Sequence, residues 1–267
     1  MEEITSANNP KIKKAVRLHD SRGRKQQNRI IIFGLAENKR YAESGRQFDE
    51  LYCCTELCSP AAISQFESSD AKSKLSVTPA IFEKLTFGSR VEGLIGVASR
   101  PSTSIENWSQ DKFEFVVVLE AIEKPGNVGA VFRSCVAAGA DAFVLANPKT
   151  DVYHPNSIRS SLGSVFSVPV FCAESTEVQG VLSREKMTVA AALVDAEHDF
   201  RQLDLTRKSA IVLGNEAIGL SSLWSQPPNI PVTIPMPGNI DSLNIAMSAT
   251  VLAYEVQRQR QINSQID

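Results

Sequence analysis

Residues 115–133 have the sequence Phe-Val-Val-Val-Leu-Glu-Ala-Ile-Glu-Lys-Pro-Gly-Asn-Val-Gly-Ala-Val-Phe-Arg. The apolar run Phe115–Leu119 is typical of a strand that is covered on both faces of a parallel sheet. A turn rich in Pro and Gly follows it, and a helical pattern extends from about Val128 to Ala138. A buried strand that passes through a turn into a helix predicts an α/β fold with a parallel sheet.

The same alternation continues to the end of the chain. We expect further strands at residues 142–146, 187–193, 210–213 and 230–234. A final helix is predicted from Leu243 to Arg260, and it is apolar around most of its circumference as far as Tyr254. A helix of that kind is buried in a core or against a partner.

A smaller unit with the same alternation precedes this one. Strands are predicted at residues 29–33, 50–54 and 91–98, and helices at 36–44 and 60–66. The polar stretch Ser-Arg-Pro-Ser-Thr-Ser at 99–104 has no apolar periodicity, so a linker is expected there. The predicted division is therefore a small α/β domain at 1–100, a linker at 101–111 and a larger domain at 112–267.

Composition excludes several classes of protein. The 267 residues carry a net charge of −2, and no apolar run is long enough to span a bilayer. Met1-Glu2-Glu3 lacks the basic start of a secretory signal, so a cytoplasmic location without membrane attachment is expected. Because the cysteine count is five and no histidine lies near Cys53, Cys54 and Cys58, reduced thiols are expected and no metal site is predicted.

Charge is unevenly distributed along the chain. Residues 11–30 contain eight Lys or Arg and one acidic residue, Asp20, so the segment carries a net charge of +7. Such a segment can neutralise phosphates of a nucleic acid. From charge alone, a solvated helix face is an equally good interpretation.

The first chemical block is the turn after residues 115–119. Backbone amides at a helix start favour an anion, and glycine lets a ligand approach closely. The alternative is that Asn127 caps the helix and Arg133 is an ordinary surface residue. The block has neither the spaced glycines of a dinucleotide-binding turn nor the Gly-Lys-Ser/Thr of a P-loop.

Two more blocks follow predicted strands in the same way. In Leu213-Gly-Asn-Glu216-Ala-Ile-Gly219, the alternative to a ligand site is a turn with Glu216 near a helix N-terminus. In the block from Ile234 to Asn244, Ser242 could cap the last helix. Since open α/β sheets bind ligands at the carboxyl ends of their strands, the three blocks together predict one cofactor pocket.

At these residues the sequence closely resembles the SpoU (TrmH) family of RNA 2′-O-ribose methyltransferases. Asn127-x-Gly129 with Arg133 is similar to the first family motif, and Gly214-Asn-Glu216-x-x-Gly219 to the second. The third motif is matched by Ile234-Pro-Met236 with Ser242-Leu243-Asn244. The segment Tyr153–Phe166 is similar to the family's link between motifs. Residues 4–10 and 30–34 resemble, more weakly, a small RNA-binding domain of many members.

The resemblance implies a Rossmann-like parallel sheet with a deep trefoil knot (SPOUT type), preceded by a small α/β RNA-binding domain. Such a knot is a rare exception to the rule that chains do not thread loops. The cofactor implied is S-adenosyl-L-methionine, bound in loops of the knot. The family usually forms homodimers, which suits the apolar last helix of the C-terminal domain.

The resemblance also assigns roles to residues. Those expected to bind the cofactor are Leu213, Gly214, Asn215, Glu216, Gly219, Ile234, Met236, Ser242, Leu243 and Asn244. Those expected in catalysis are Asn127, Arg133, Glu216, Ser242 and Asn244. With an RNA-binding domain implied, the basic segment is expected to contact RNA through Lys11, Lys13, Lys14, Arg24 and Lys25, together with Arg133 of the first motif. Arg133 is better suited to clamp a phosphate or oxyanion than to act as a base, because a guanidinium is effectively never deprotonated.

The expected activity is transfer of a methyl group from S-adenosylmethionine to a ribose 2′-hydroxyl. The additional N-terminal domain favours 23S ribosomal RNA as substrate. The alternatives are a tRNA 2′-O-methyltransferase and a non-catalytic RNA-binding relative, although the complete set of polar motif residues argues against the relative. An NAD-dependent oxidoreductase is disfavoured by the missing glycine fingerprint.

Overall fold

A computed structural model describes residues 2–87, 92–110 and 113–263 of the chain. Its strands are β1 (Glu2–Ile4), β2 (Arg29–Phe33), β3 (Glu50–Cys53), β4 (Lys74–Val77), β5 (Leu94–Ser99), β6 (Phe115–Glu120), β7 (Ala142–Ala146), β8 (Val170–Ala173), β9 (Thr188–Ala192), β10 (His198–Asp199), β11 (Ser209–Leu213) and β12 (Ile230–Thr233). Its α-helices are α1 (Pro10–Val16), α2 (Ser21–Gln27), α3 (Leu35–Glu43), α4 (Pro60–Ser68), α5 (Pro79–Leu85), α6 (Pro125–Ala137), α7 (Pro155–Ser160), α8 (Ser175–Arg184) and α9 (Ile245–Asn263).

The chain forms two compact units. The N-terminal unit contains residues 1–101 together with 153–167, and the C-terminal unit contains 102–152 and 168–267. The α/β class, with a small N-terminal α/β unit and a C-terminal parallel sheet, is confirmed. The trefoil knot stays a prediction.

The N-terminal unit is built on a mixed sheet with the strand order β1-β4-β3-β5-β2. β1 and β3 are parallel to β4, whereas β5 is antiparallel to both β3 and β2. Side-chain caps begin three of its helices, since Asn9, Asp20 and Ser59 each accept a hydrogen bond from a backbone amide in the following turn. The apolar sides of α1 and α5 pack with the sheet into one core.

Residues 153–167 depart from the predicted division, which placed them in the C-terminal domain. Their contacts group them with the N-terminal unit, where Phe166 packs against an aromatic side chain. The ring of Tyr41 meets Phe166 edge-on at 5.1 Å between centroids, and Arg46 donates to the Phe166 carbonyl at 3.2 Å. Arg40 donates to the carbonyl of Leu162.

The predicted linker is largely structured. Ile105–Gln110 forms a 3-10 helix, and Ile105 and Trp108 are buried in the core of the C-terminal unit. The Trp108 ring packs against Phe113 and Phe171 at 4.8 and 5.0 Å between centroids. Residues 111 and 112, the end of the predicted linker, lie outside the described residues.

The C-terminal unit is built on a sheet with the order β10-β12-β9-β11-β6-β7-β8, and its strands pair in parallel. Every residue of β6, β7 and β11 is buried, in agreement with the apolar runs that predicted these strands. Because β6 lies between β11 and β7, the loops that leave these strands emerge at the same edge of the sheet.

Helix α9 closes the C-terminal unit by packing against α6 and β11. Its buried side includes Ala249, Leu252 and Val256. Its last turns are held to the loops before β6 and β11, since Gln259 donates to the Leu203 carbonyl at 3.0 Å and Arg260 to the Glu114 carbonyl at 2.8 Å.

Arg24 was predicted to contact RNA because it lies in the basic segment, but its position in the fold differs from that expectation. Its side chain is fully buried in the N-terminal unit and donates to the carbonyls of Leu18 and His19 at 3.0 and 2.9 Å. A guanidinium used in this way holds the turn before α2 and is not available to a phosphate. The prediction that Arg24 binds RNA is therefore wrong.

None of the five cysteines, all of which lie in described residues, forms a disulfide bond. Cys53, Cys54 and Cys135 are buried, whereas Cys58 and Cys172 are half-buried. Burial raises the pKa of the Cys135 thiol to about 12, so this thiol stays protonated. Among the described residues, no His, Cys, Asp and Glu side chains gather into a possible metal site, and no helix combines the length and apolarity required to cross a membrane.

Candidate active site

A cavity of about 640 Å³ opens at the carboxyl ends of β9, β11 and β12, beside the start of α9. The ten residues predicted to bind a cofactor all line it. They are Leu213, Gly214, Asn215, Glu216, Gly219, Ile234, Met236, Ser242, Leu243 and Asn244. Their common position supports a single pocket formed by the second and third sequence blocks, whereas no residue of the first block is part of its lining. The binding role of these residues stays a prediction.

The wall contributed by residues 214–219 is a tight loop. A Cβ on Gly214 would lie 2.4 Å from backbone atoms of Gly219 and Leu220, so no larger residue fits at position 214. Gly219 has a φ of +71°, in the left-handed region that favours glycine. The Asn215 side chain accepts from the Ala217 amide at 2.8 Å and donates to the Ala121 carbonyl at 3.0 Å.

No helix begins at this loop in the described structure. Its ends are joined instead by a bridge between Asn215 and Gly219, in which the Gly219 amide donates to the Asn215 carbonyl at 2.8 Å. The alternative interpretation of this block, with Glu216 beside a helix N-terminus, is therefore wrong. Glu216 lies at the exposed turn of the loop and can face a ligand.

The Glu216 carboxylate joins residues from all three blocks. Oε1 accepts from the side-chain amide of Asn127 and, at 3.1 Å, from that of Asn244. Oε2 accepts from the Lys124 ammonium group at 3.2 Å. The Glu216 side chain remains 29% exposed, so the carboxylate is held in place and still accessible from solvent.

Two alternatives concerning helix caps are decided by these contacts. Asn127 is the third residue of α6, which begins at Pro125, and its amide binds Glu216 rather than capping the helix. Helix α9 begins at Ile245, two residues later than predicted. Its first amides are met by Asn244, whose side-chain oxygen accepts from the Ala246 amide at 2.9 Å, so Ser242 is not the cap.

Arg133 is separate from this cluster. It is exposed on α6, six residues after Asn127, which places it about 9 Å further along the helix and about 120° around it. The structure therefore brings Asn127, Glu216 and Asn244 into hydrogen-bonding contact and places Ser242 on the same cavity wall. No described hydrogen bond or ion pair joins Arg133 to these residues.

Sequence reasoning missed some residues of the site. Lys124 binds Glu216, although a lone lysine before Pro125 carries no local signal for such a contact. Asp241 lines the cavity directly before Ser242 and adds a second carboxylate to its wall. Its place inside the third block was the available signal.

The shape of the loop makes a specific prediction about glycine. Gly214→Ala should destabilise the protein by about 2 kcal/mol, because its methyl group would overlap backbone atoms that cannot move independently. Gly238→Ala is the matched control, since nothing lies within 4 Å of a Cβ at that position. Thermal unfolding measures both variants, and equal melting temperatures would contradict the packing described here.

Cavity size and lining suit a small organic ligand. A volume of about 640 Å³ lies within the usual range for ligand pockets. Leu213, Ile234 and Leu243 supply apolar surface, while the loop from Gly214 to Gly219 supplies backbone groups. The carboxylates of Glu216 and Asp241 favour a ligand that carries positive charge.

Comparison with known proteins identifies two family regions in the chain. Residues 114–254 match the SpoU rRNA Methylase family, and residues 9–96 match the MRM3-like substrate binding domain. The first region contains the whole cavity described above.

Individual proteins are similar over one or both regions. A 23S rRNA (uridine(2479)-2′-O)-methyltransferase of Streptomyces viridochromogenes is 35% identical over 173 residues, which cover 62% of this chain and 60% of that protein. The chain thus spans less than two thirds of that relative's length. The 23S rRNA (guanosine(2553)-2′-O)-methyltransferase RlmP of Bacillus subtilis is 25% identical over 257 residues, or 96% of this chain and 100% of that protein.

Solved structures resemble the chain over nearly its full length. The crystal structure of an RNA 2′-O ribose methyltransferase has a TM-score of 0.84 at 33% identity and covers 97% of this chain and 99% of its own. The SpoU methyltransferase AviRb of Streptomyces viridochromogenes, in complex with the cofactor AdoMet, has a TM-score of 0.86 at 25% identity and covers 95% and 99%. Since the family match spans more than half of its residues, this chain belongs to the SpoU rRNA Methylase family.

Proposed function

We propose that this chain transfers a methyl group from S-adenosylmethionine to a ribose 2′-hydroxyl of 23S ribosomal RNA. The observation that carries the proposal is the Glu216 cluster, which ties the three family motifs together at the mouth of one cavity. The names of similar proteins support ribosomal RNA as the substrate class. A ribosomal RNA substrate also supports a cytoplasmic location for this protein.

The residues of the cavity fit S-adenosylmethionine. Leu213, Ile234 and Leu243 would pack against its apolar parts, and backbone groups of residues 214–219 would hydrogen-bond its polar edges. The carboxylates of Glu216 and Asp241 would complement its positive charge. When bound, the cofactor supplies a methyl group that is already activated by the positive charge on sulfur.

The residues of this chain then act by positioning. Asn127, Lys124 and Asn244 hold the Glu216 carboxylate in one orientation, so that it can accept a hydrogen bond from a ribose placed beside the cavity. Arg133 would clamp an RNA phosphate or the developing oxyanion, because its guanidinium cannot serve as a base. The 2′-proton would leave to phosphate or water.

A methylation assay tests this function directly. Purified protein, labelled S-adenosylmethionine and 23S ribosomal RNA should give 2′-O-methylated RNA, and Arg133→Ala should slow single turnover by roughly 100-fold through loss of a charged contact. Arg184→Ala, an exposed arginine on α8, is the matched control and should keep the wild-type rate.

The other outcomes of this assay each discriminate between functions. Methylation of tRNA alone would overturn the ribosomal substrate. Failure to bind millimolar S-adenosylmethionine would favour a non-catalytic RNA-binding relative. A wild-type rate for Arg133→Ala at saturating RNA would remove Arg133 from both proposed roles.

We further propose that the N-terminal unit binds the RNA substrate through its basic helices. Lys13, Lys14 and Lys25 are exposed, and Lys11 is half-buried at the start of α1. The match of residues 9–96 to a substrate-binding domain supports this assignment.

Charge reversal tests the basic helices. Lys11→Glu, Lys13→Glu and Lys14→Glu together should weaken RNA binding at least tenfold and flatten its dependence on salt, because fewer counterions are released. Lys186→Glu, an exposed lysine of the C-terminal unit, serves as control. Filter binding at several salt concentrations measures the effect, and an unchanged slope would contradict the proposed contact.

We propose that the chain forms a homodimer through its C-terminal unit. Met247, Val251 and Tyr254 lie on one face of α9 and are 60%, 37% and 48% exposed. An apolar stripe at this helical spacing suits burial against a second copy.

Dimerisation has a simple test. Met247→Glu with Val251→Glu should convert a dimer to monomer, because two charges would be buried without partners. Leu57→Glu, at an exposed leucine of the N-terminal unit, is the control. Sedimentation equilibrium measures the mass, and a variant that remains dimeric would place the interface elsewhere.

A further inference from the structure

Glu120, the last residue of β6, is a buried carboxylate that none of the three motifs accounts for. Glu120 is only 3% exposed to solvent. Oε2 accepts from the Ser221 amide at 2.7 Å. Oε1 accepts from the Ser221 hydroxyl at 2.8 Å and from the Ser175 hydroxyl at 2.5 Å. A buried strand end thus carries an acid that accepts three hydrogen bonds.

The two serines lie on different elements. Ser221 follows the cavity loop of residues 214–219, whereas Ser175 is the first residue of α8. The other end of the loop begins at Leu213 in β11, which pairs directly with Leu119 in β6. Glu120 therefore binds the far end of a loop whose near end is already fixed to its own strand.

A neighbouring bond strengthens this attachment. The Asn215 side chain donates to the carbonyl of Ala121 at 3.0 Å. Glu120, the last residue of β6, and Ala121, the residue after it, thus hold both sides of the loop that carries Glu216. The three-way contact of Glu216 with Lys124, Asn127 and Asn244 can form only if that loop is held in this place.

Electrostatics favours the charged form of Glu120. Burial alone would raise the pKa of this carboxyl, but the hydrogen bonds from Ser175 and Ser221 outweigh burial and hold the pKa below its ordinary value. A carboxyl with a lowered folded-state pKa stabilises the fold above its unfolded pKa, and that stabilisation is lost as pH falls through the folded value. The attachment is therefore complete at neutral pH.

We propose that Glu120 is a positioning residue for methyl transfer, which holds the loop of residues 214–219 in the shape that receives the cofactor. This inference rests on the proposed function, because its readout is the binding of S-adenosylmethionine. Glu120 itself lies outside the lining of the cofactor cavity, so it acts through Ser221 and the loop.

A matched pair of serine variants separates loop positioning from general stability. Ser221→Ala and Ser175→Ala each remove one hydroxyl donor from the same oxygen of Glu120. Only Ser221 is attached to the loop. We expect Ser221→Ala to raise the Kd for S-adenosylmethionine about fivefold, which corresponds to a loss of about 1 kcal/mol in binding. Ser175→Ala should leave this Kd unchanged.

Glu120→Gln extends the test to the carboxylate. An amide of the same size cannot accept from all three donors, so the Kd should rise at least tenfold. At saturating S-adenosylmethionine most of the single-turnover rate should return, and affinity for RNA should not change. A variant that binds S-adenosylmethionine more weakly but keeps most of its rate at saturating cofactor is expected if Glu120 shapes the cofactor loop. It is not expected if Glu120 only stabilises the C-terminal unit.

Calorimetry with S-adenosylmethionine and thermal unfolding on the full chain decide between the outcomes. If Ser221→Ala and Ser175→Ala raise the Kd equally, in step with their melting temperatures, Glu120 has only a structural role. Wild-type Kd values for Ser221→Ala and Glu120→Gln would likewise overturn the proposal. If the wild-type protein does not bind S-adenosylmethionine, the proposed function fails first, and the two failures are thereby distinguished.

Discussion

Parallel pairing of β6 with β11 is the constraint on which the site depends. The pairing sets Leu119 beside Leu213, and both strands are completely buried. The register determines where the two strands end relative to each other, and it places their last residues next to each other. Because parallel strands end at a common edge, the turn at 121–127 and the loop at 214–219 emerge side by side. The contact between Asn127 and Glu216, 89 residues apart in sequence, follows from that arrangement.

Glycine geometry and polar contacts then shape the loop. Gly214 allows the chain to pass within contact distance of Gly219, and Gly219 itself adopts a left-handed conformation. The ion pair between Lys124 and Glu216 contributes little energy, because Lys124 is 74% exposed and exposed pairs contribute about 0–1 kcal/mol. The ion pair matters because it helps to orient the Glu216 carboxylate. With the two asparagine amides, it leaves the carboxylate few orientations.

Local sequence patterns predicted the parts of the fold that depend on local physics. The apolar runs of β6, β7 and β11 identify buried strands, and the family resemblance is confirmed by the match over residues 114–254. Short strands such as β1 and β10, with three and two residues, have too little pattern to detect. The contact of Phe166 with Tyr41 depends on tertiary packing, so residues 153–167 were assigned to the wrong side of the domain division. Arg24 fails for a related reason, since a charge count cannot distinguish a buried guanidinium from an exposed one.

Two carboxylates at the same sheet edge illustrate how environment separates structural from chemical roles. Glu120 is buried and receives hydroxyl and backbone amide donors, so its charge is compensated by fixed dipoles. Glu216 is partly exposed and receives an ammonium group and two side-chain amides, so it can exchange contacts with a ligand. If both were exposed, the loop would lose its fixed base. If both were buried, no carboxylate would be available at the mouth of the cavity. The buried acid is therefore suited to hold the base of the loop, and the accessible acid at the turn is suited to meet a ligand.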